Sequence, residues 1–392
     1  MIKAVLLDLD NTLLVNPDHV FAPAYLQLAE EYFQKAWGYS GFAQVLLGTM
    51  RVMTGVRDMR RTNTAVALDY VQTAVQRLPE ALQADLAAFY QEAYPALASC
   101  TQRVEGALRL IEYLQKQDYA CVIATNPLYP AEAIRQRLDW AGLPDDFSQY
   151  AFVTHSDNMH FTKPDPAYYA EILARVGIEP DEAIMVGDSV GNDIAPAATI
   201  GLHTFHIGAD DAAKGGTLLD FMVHMQNQEW LNNLLPALLR PFVIAPQFRG
   251  NVGALFGLLD NIRPSYWGQH PDPNEWSPLQ IVCHLLDSEQ TVQRPRLELI
   301  LAQDNPFLAE PRQPEGPEAP DCDDDGMRVA VKFLQARQAT LDFLQTLSDE
   351  DWNRPARHSI FGPTTLLEMA HFTAQHDRLH LTQLCRTLGN CQ

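Results

Sequence analysis

The stretch Ala4-Val5-Leu6-Leu7-Asp8-Leu9-Asp10-Asn11-Thr12 decides the fold of the first half of this chain. Its first four residues form a continuous apolar run, which is typical of a parallel strand covered on both faces. Similar runs, each followed by polar or turn residues and a helical pattern, occur at Cys121–Ala124, Ala151–Thr154 and Ala183–Val186. Strands that alternate with helices predict a doubly wound α/β domain, whose ligands bind at the carboxyl ends of the strands.

Two aspartates follow the first predicted strand directly. Residues two apart in an extended segment point the same way, so Asp8 and Asp10 can converge on one volume. Two carboxylates that close repel each other unless a cation lies between them or one of them takes a proton. Both solutions suit phosphoryl transfer, with one carboxylate as nucleophile, the other handling a proton and Mg²⁺ neutralising charge. The alternative is an ordinary polar turn after a strand.

Polar residues also follow the later strands or lie in the loops beyond them. Thr125 and Asn126 end the second predicted strand with a hydroxyl and an amide that suit hydrogen bonds to phosphoryl oxygens. Lys163 brings a cation, and Asp188 and Asp193 bring further carboxylates after the fourth predicted strand. All of these residues fall on the edge of the sheet where ligands are expected.

The ordered set of four segments over residues 1–235 resembles the haloacid dehalogenase (HAD) superfamily of phosphohydrolases. The resemblance implies that Asp8 is the nucleophile and forms an aspartyl-phosphate. Asp10 would act as general acid on the leaving alkoxide and then as general base on the attacking water. Thr125 and Asn126 would orient the phosphoryl group, and Lys163 would stabilise the nucleophile and the transferred charge.

The same resemblance implies a metal site. Asp8, Asp188 and the main-chain carbonyl of Asp10 would hold Mg²⁺, with Asp193 in or just behind the metal shell. Dehalogenase and phosphonatase members lack an acid at the position of Asp10, so its presence favours hydrolysis of a phosphate ester.

Residues 17–99 carry no strand signal and predict helices such as Pro23–Trp37, Asn63–Leu78 and Ala81–Tyr94. The resemblance identifies this insertion as a helical cap of the C1 type on a catalytic core of residues 1–16 and 100–235. The cap segment Arg51–Arg61 contains four arginines, Arg51, Arg57, Arg60 and Arg61. One of them could meet a second anionic group of the substrate, but a solvated helix face or loop is the favoured interpretation.

The second half, residues 236–392, has a different pattern. Apolar residues at i, i+3 and i+4 predict four long helices at Phe242–Ile262, Pro278–Gln303, Met327–Leu347 and Thr364–Leu388. Between the second and third lies Asp304–Gly326, a proline-rich and acidic connection. We expect an all-α four-helix bundle with one long crossover loop.

Three histidines of this bundle form a candidate metal site. His376 and His380 are four residues apart and share one helix face, where they could chelate a divalent metal with His284 from a facing helix. Three structural histidines are the alternative. The stretches Trp276–Leu285 and His376–Leu384 resemble the DinB-like superfamily of four-helix metal proteins, which implies this triad and a divalent transition metal (Zn²⁺, Ni²⁺ or Fe²⁺). Gln383 would then be an outer-shell residue.

Composition narrows the partners and the compartment. The balance of 28 basic against 49 acidic residues gives a formal charge of −21, which argues against nucleic acid and against an anionic membrane as partners. Six scattered cysteines without a CxxC pair argue against a disulfide framework or a zinc ribbon. The start resembles no signal peptide. We therefore expect a cytoplasmic protein with a small phosphorylated substrate. A homodimer is one possible assembly.

The sequence favours a Mg²⁺-dependent phosphatase fused to a His₃ metal domain. In a second hypothesis the C-terminal metal is the main catalyst, as a thiol S-transferase or hydrolase. In a third, the C-terminal domain is a non-catalytic sensor or assembly module that regulates the phosphatase.

Overall fold

The structure is a computed structural model, which describes residues 1–55, 58–209, 215–260, 262–272, 275–310 and 325–391. The chain divides into two compact units. The first comprises Met1–Tyr169 and Pro180–Ala237, and the second comprises Ala170–Glu179 and Leu238–Gln392.

The strands of residues 1–237 build a six-stranded sheet and a short two-stranded ribbon. They are β1 (Ala4–Leu7), β2 (Leu14–Val15), β3 (Gln102–Arg103), β4 (Ala120–Ile123), β5 (Phe152–Val153), β6 (Ala183–Gly187), β7 (His203–Ile207) and β8 (Gly215–Gly216). The sheet has the order β5-β4-β1-β6-β7-β8, and the paired strands in it are parallel. The predicted α/β fold class is thereby confirmed.

The register of the sheet determines where the site residues lie along the direction of the strands. Leu7 lies opposite Ile123 of β4 on one side and Val186 of β6 on the other. The residues that follow these three strands therefore leave the sheet at the same level. The predicted strand runs agree with β1, β4, β5 and β6 to within one residue at each end.

Ten α-helices lie in the described part of residues 1–237, and the seventh of them passes into the second unit at Ala170. They are α1 (Asp18–Trp37), α2 (Phe42–Gly55), α3 (Asn63–Val75), α4 (Pro79–Glu92), α5 (Ala107–Lys116), α6 (Ala131–Ala141), α7 (Pro166–Val176), α8 (Ala195–Thr199), α9 (Leu218–Gln226) and α10 (Gln228–Asn232), within the described part of residues 1–237. Helices α1 to α4 form the predicted helical insertion. They pack around buried aromatic rings, which include Tyr25, Phe33, Phe42, Phe89 and Tyr94.

The insertion is attached to the rest of the first unit at several places. The chain enters and leaves it through the antiparallel ribbon of β2 and β3. The N-terminus of α3 is also hydrogen-bonded to the loop after β5, since the Thr64 hydroxyl lies 2.7 Å from Ser156 Oγ and 2.6 Å from Asp157 Oδ1. The cap is therefore docked on the core in this structure.

The second unit contains the remaining helices and a small sheet. They are α11 (Ile244–Leu259), α12 (Pro278–Ser288), α13 (Arg294–Ala302), α14 (Gly326–Leu344), α15 (Leu366–Cys391), β9 (Phe307–Leu308), β10 (Pro355–His358) and β11 (Gly362–Thr365). The order of the small sheet is β11-β10-β9. The four predicted helical regions are present, and residues 311–324 of the predicted long connection lie outside the described residues.

Two features of this unit were not predicted. The second helix is not continuous, because a turn of wider π-helix at Glu289–Gln293 separates α12 from α13. Pro295 follows this turn and lacks the N–H that a regular helix would need there, which accounts for the widening. The small sheet was also missed, because four-residue strands joined by a tight turn leave little periodic signal in the sequence.

A buried polar cluster lies among the bundle helices. Arg337 of α14 is 1% exposed and donates to Glu289 Oε2 at 2.7 Å and to Asp377 Oδ2 at 2.5 Å. Thr340 donates to the other oxygen of Glu289, and Asn251 of α11 lies 3.3 Å from Asp377 Oδ2. The cluster joins α11, the π-helical turn, α14 and α15, and it fixes how α15 is rotated.

The bundle also contains the one helical segment in the described part of the chain that is apolar enough to cross a membrane. This is Pro241–Leu259, with a mean hydropathy of 1.2 in its most apolar window. Because 67% of that window is buried inside the protein, its apolar character is accounted for by packing in the bundle core.

We expect Arg337→Met to destabilise the second unit by about 3–5 kcal/mol, because it leaves two buried carboxylates without their counter-charge. The measurement is urea unfolding followed by circular dichroism. Gln338→Met on the exposed side of the same helix is the matched control, and it should change the free energy of unfolding by less than about 0.5 kcal/mol. Equal effects of the two substitutions would contradict this account of the cluster.

Candidate active site and metal centre

A lysine lies between two aspartates at the carboxyl edge of the six-stranded sheet. Lys163 Nζ is 2.7 Å from Asp8 Oδ1 and 2.6 Å from Asp193 Oδ1. All three side chains are buried. Asp193 is also held by the backbone N–H of Ser189, which donates to its Oδ2 at 3.0 Å. The structure thus brings together residues 155 positions apart in the chain.

A third carboxylate completes this group. Oxygen atoms of Asp8, Asp188 and Asp193 all lie within 4.8 Å of one another. Burial, reinforced by the charge of Asp193, raises the pKa of Asp8 above its usual range, although Lys163 opposes the shift. Burial and Asp193 also raise the pKa of Asp188. One ammonium does not balance three carboxylates, so an all-oxygen group with this excess of negative charge fits a hard divalent cation such as Mg²⁺.

Thr125 and Asn126 follow β4 beside this group. Thr125 is buried, and its carbonyl oxygen accepts from the Thr154 hydroxyl at 2.7 Å and from the Tyr168 hydroxyl at 2.8 Å. The amide oxygen of Asn126 accepts from the backbone N–H of Lys163 at 3.2 Å. This contact fixes the amide orientation and leaves the Asn126 NH₂ group to donate to a ligand.

Asp10 has partners that the sequence did not indicate. Its Oδ2 accepts from Arg137 Nη1 at 2.7 Å, and its Oδ1 accepts from Asn16 Nδ2 at 2.7 Å. Arg137 is 1% exposed. Burial acts to lower the pKa of Arg137, but Asp10 and the tyrosines Tyr94 and Tyr129 outweigh it and raise the pKa above its usual range. Arg137 is therefore a permanent cation beside Asp10.

A signal for Arg137 was present in the sequence. On α6 it shares a face with the buried residues Ile134, Leu138 and Ala141. A charged residue on the apolar face of a helix is rarely buried without a partner, so this position could have been singled out. The identity of its partner could not, because Asp10 is 127 positions away.

The described arginines of the cap segment face solvent. Arg51, Arg60 and Arg61 are exposed, and Arg61 is paired with Asp58 and Asp69. Arg57 lies outside the described residues. The contacts of Arg61 agree with a solvated surface segment.

The three predicted histidines of the second unit lie together. Ring nitrogens of His284, His376 and His380 are all within 4.8 Å of one another. The Nε2 atoms of His284 and His376 are 3.2 Å apart. His284 comes from α12 and the other two come from one face of α15, as their spacing predicted.

The environment of His284 and His380 favours neutral imidazoles. Burial, with the neighbouring His380 and His376, lowers the pKa of His284 to about 3. Burial and His376 lower the pKa of His380 to about 4. Gln383 Oε1 lies 3.0 Å from His380 Nδ1, which places the proton on Nδ1 and leaves the Nε2 lone pair for a ligand. Neutral imidazole nitrogens converging in this way fit a divalent transition metal.

The surroundings leave room beside the triad. The Trp276 ring stacks on His380 with a centroid distance of 5.8 Å. His380 and Gln383 also line a cavity of about 660 Å³, together with Glu275 and Arg386. Three nitrogen donors next to a cavity leave a fourth coordination position accessible to a small molecule.

Cys283, next to His284 in the sequence, does not belong to this site. It is buried and disulfide-bonded, so its sulfur is not available as a nucleophile.

Comparison with known proteins finds a family model for each half of the chain. The family model of haloacid dehalogenase-like hydrolases matches residues 2–201, more than half of the chain. The chain belongs to the haloacid dehalogenase-like hydrolase family. A DinB superfamily model matches residues 247–384, the region that contains the histidine triad.

Individual relatives match parts of the chain. A phosphoglycolate phosphatase of Rhodospirillum rubrum is 31% identical over 156 residues, which are 38% of this chain and 62% of the relative. A glyceraldehyde 3-phosphate phosphatase of Pyrococcus furiosus is 34% identical over 105 residues, which are 26% of this chain and 41% of the relative. The chain thus spans less than two thirds of the length of these relatives.

A solved structure is similar to the C-terminal region. YfiT from Bacillus subtilis, described as a probable metal-dependent hydrolase with an unusual four-helix bundle topology, is 19% identical, with a TM-score of 0.31. The match covers 37% of this chain and 84% of that protein.

The lowered pKa values of two histidines predict how the metal-free protein responds to acid. An unfolded histidine binds a proton near pH 6.5, whereas folded His284 does so only near pH 3, so stability should fall as the pH drops from about 6.5 to about 3. In His284→Gln the slope of this loss should be smaller by roughly one proton.

The measurement is urea unfolding at a series of pH values with a chelator present. His270→Gln, which replaces an exposed histidine of the same unit, is the matched control and should keep the wild-type slope. An unchanged slope in His284→Gln would contradict this account, because it would mean that His284 takes up its proton in the same pH range in the folded and the unfolded protein.

Proposed function

We propose that the chain is a Mg²⁺-dependent phosphatase that hydrolyses a small phosphorylated metabolite through an aspartyl-phosphate. The observation that supports this most directly is the group formed by Asp8, Lys163, Asp188 and Asp193 at the carboxyl edge of the parallel sheet. The named relatives that act on phosphate esters, phosphoglycolate and glyceraldehyde 3-phosphate phosphatase, support the same reaction type.

In the first half-reaction the nucleophile is the Asp8 carboxylate. Lys163 holds its Oδ1, which leaves Oδ2 to attack phosphorus. As the Oδ2–P bond forms, the bond from phosphorus to the ester oxygen breaks. The leaving alkoxide takes its proton from the Asp10 carboxyl group. The Asn126 NH₂ group and Thr125 would keep the phosphoryl oxygens in position during this transfer.

In the second half-reaction water attacks the phosphorus of the aspartyl-phosphate. Asp10, now a carboxylate, takes a proton from that water, and the P–Oδ2 bond breaks to regenerate Asp8 and release phosphate. Lys163 neutralises part of the charge on Asp8 in both steps. Asp193 positions Lys163 through the 2.6 Å contact and would lie in or just behind the metal shell.

The metal would be held by Asp8, Asp188 and the main-chain carbonyl of Asp10. When bound, Mg²⁺ would lower the repulsion between the phosphoryl oxygens and the carboxylates. Burial raises the pKa values of Asp8 and Asp188, so their ionised forms are unfavourable without a counter-charge. A cation at that position would favour the ionised forms, which supports this assignment.

We further propose that His284, His376 and His380 bind a divalent transition metal in the second unit. The convergence of the three rings and the hydrogen bond between Gln383 and His380 support this proposal. In the first alternative this metal is the main catalyst, and in the second it serves a sensor or assembly module. We favour two separate sites, because each has its own group of three candidate ligand side chains.

Asp8→Asn should abolish phosphate release, lowering kcat by at least about a thousandfold, because the amide cannot form the aspartyl-phosphate. The assay is release of inorganic phosphate from a panel of phosphorylated metabolites with Mg²⁺. Asp181→Asn, which changes a carboxylate away from the site, serves as the control. Full activity in Asp8→Asn, or no activity of the wild type on any ester, would overturn the proposal.

His376→Ala should release the transition metal and leave phosphatase turnover within about twofold of wild type, since the two sites are separate. Metal content is measured by elemental analysis after dialysis, and turnover is measured with the best ester of the panel. If phosphate release is lost while the protein stays folded, the two sites act together. If the wild type binds no transition metal, the histidines are structural.

A further inference from the structure

The Arg137 guanidinium makes four contacts at the base of the cap. Its Nη1 donates to Asp10 Oδ2 at 2.7 Å, and its Nε donates to the Tyr94 hydroxyl at 2.8 Å. Its guanidinium carbon lies 4.0 Å from the centre of the Tyr129 ring and 4.8 Å from that of Phe21. Tyr94 and Phe21 belong to the helical insertion, so Arg137 contacts both the cap and the carboxylate of Asp10.

These contacts constrain the guanidinium strongly. The two aromatic rings limit rotation of its plane, and the Tyr94 hydroxyl fixes the direction of Nε. Because the plane and the Nε direction are fixed, the direction of the Nη1 N–H bond that points at Asp10 is also fixed. A lysine in the same place would supply charge without this fixed geometry.

Asp10 is constrained in turn. Asn16 Nδ2 holds its Oδ1 at 2.7 Å, and Arg137 holds its Oδ2. The backbone beneath it is also held, because Asn11 adopts a φ of 62° and its N–H donates to the Leu14 carbonyl at 2.6 Å. The Asp10 carboxyl keeps 25% of its surface exposed, whereas Arg137 is 1% exposed. A ligand can therefore reach Asp10 but not the arginine.

We propose that Arg137 is a positioning residue for the proton-transfer steps: it holds the Asp10 carboxyl where it can meet the ester oxygen, and it ties that position to the docked cap. The inference rests on the proposed phosphatase function. Arg137 exchanges no proton and touches no reacting atom. Its effect reaches the reaction only through the placement of Asp10.

The proposal makes a prediction that a purely structural role would not make. Alkyl phosphates have a poor leaving group that needs a proton from Asp10, whereas p-nitrophenolate leaves with little protonation. In Arg137→Met we therefore expect kcat/KM to fall at least about tenfold more for an alkyl phosphate than for p-nitrophenyl phosphate. The alkyl ester is the best one that wild type hydrolyses in the metabolite panel.

Three further variants isolate the cause. Arg137→Lys should restore part of the alkyl-to-aryl ratio, because it returns the charge without the fixed donor direction. Tyr94→Phe removes only the hydroxyl that orients Nε, and it should lower the ratio by about threefold. Arg135→Met on the same helix is the matched control, because Arg135 lies 4.8 Å over the Phe147 ring and does not contact Asp10. Its ratio should equal that of wild type.

The outcomes are distinguishable. If Arg137→Met and Tyr94→Phe stay folded and lower kcat/KM equally for both esters, Arg137 is structural and the inference fails while the phosphatase assignment stands. If Arg137→Met does not fold, the ratio in Tyr94→Phe decides, and an unchanged ratio there also overturns the inference. A wild type without activity on either ester contradicts the proposed function itself.

Discussion

The ammonium of Lys163 between Asp8 and Asp193 is the contact on which the arrangement of the first unit depends. The two carboxylates leave the sheet after neighbouring strands, at a level set by the parallel register. Without a cation these buried groups would repel each other and lose their ionised forms. The lysine therefore allows acidic residues to gather at the sheet edge, and the remaining excess of negative charge suits a divalent cation.

The same physical solution occurs in the second unit. Arg337 lies between Glu289 and Asp377 as Lys163 lies between its aspartates, and all three side chains are buried. Asp377 directly follows His376 on α15, so the ion pair fixes the rotation of that helix. The rotation in turn presents His376 and His380 to His284. In both units a buried cation positions the side chains that are candidates for function.

The predictable part of the fold followed from local patterns. The continuous apolar runs gave β1, β4, β5 and β6, because strands buried on both faces leave no polar residue inside them. The candidate site residues directly follow strands, lie in the loops beyond them or share a helix face, and such positions follow from local patterns. The small sheet of the second unit and the π-helical turn before Pro295 were missed, since neither leaves a periodic pattern in the sequence.

The sequence by itself determined the parallel α/β core, the helical insertion, the helices of the C-terminal bundle and the candidate residues of both sites. These properties depend on the order and spacing of neighbouring residues along the chain. Only the tertiary structure decided which charges meet: that Arg137 pairs with Asp10 across 127 positions, and that Arg337 pairs with Asp377 across 40. Pairing across such distances depends on how whole elements pack, and no local pattern in the sequence records it.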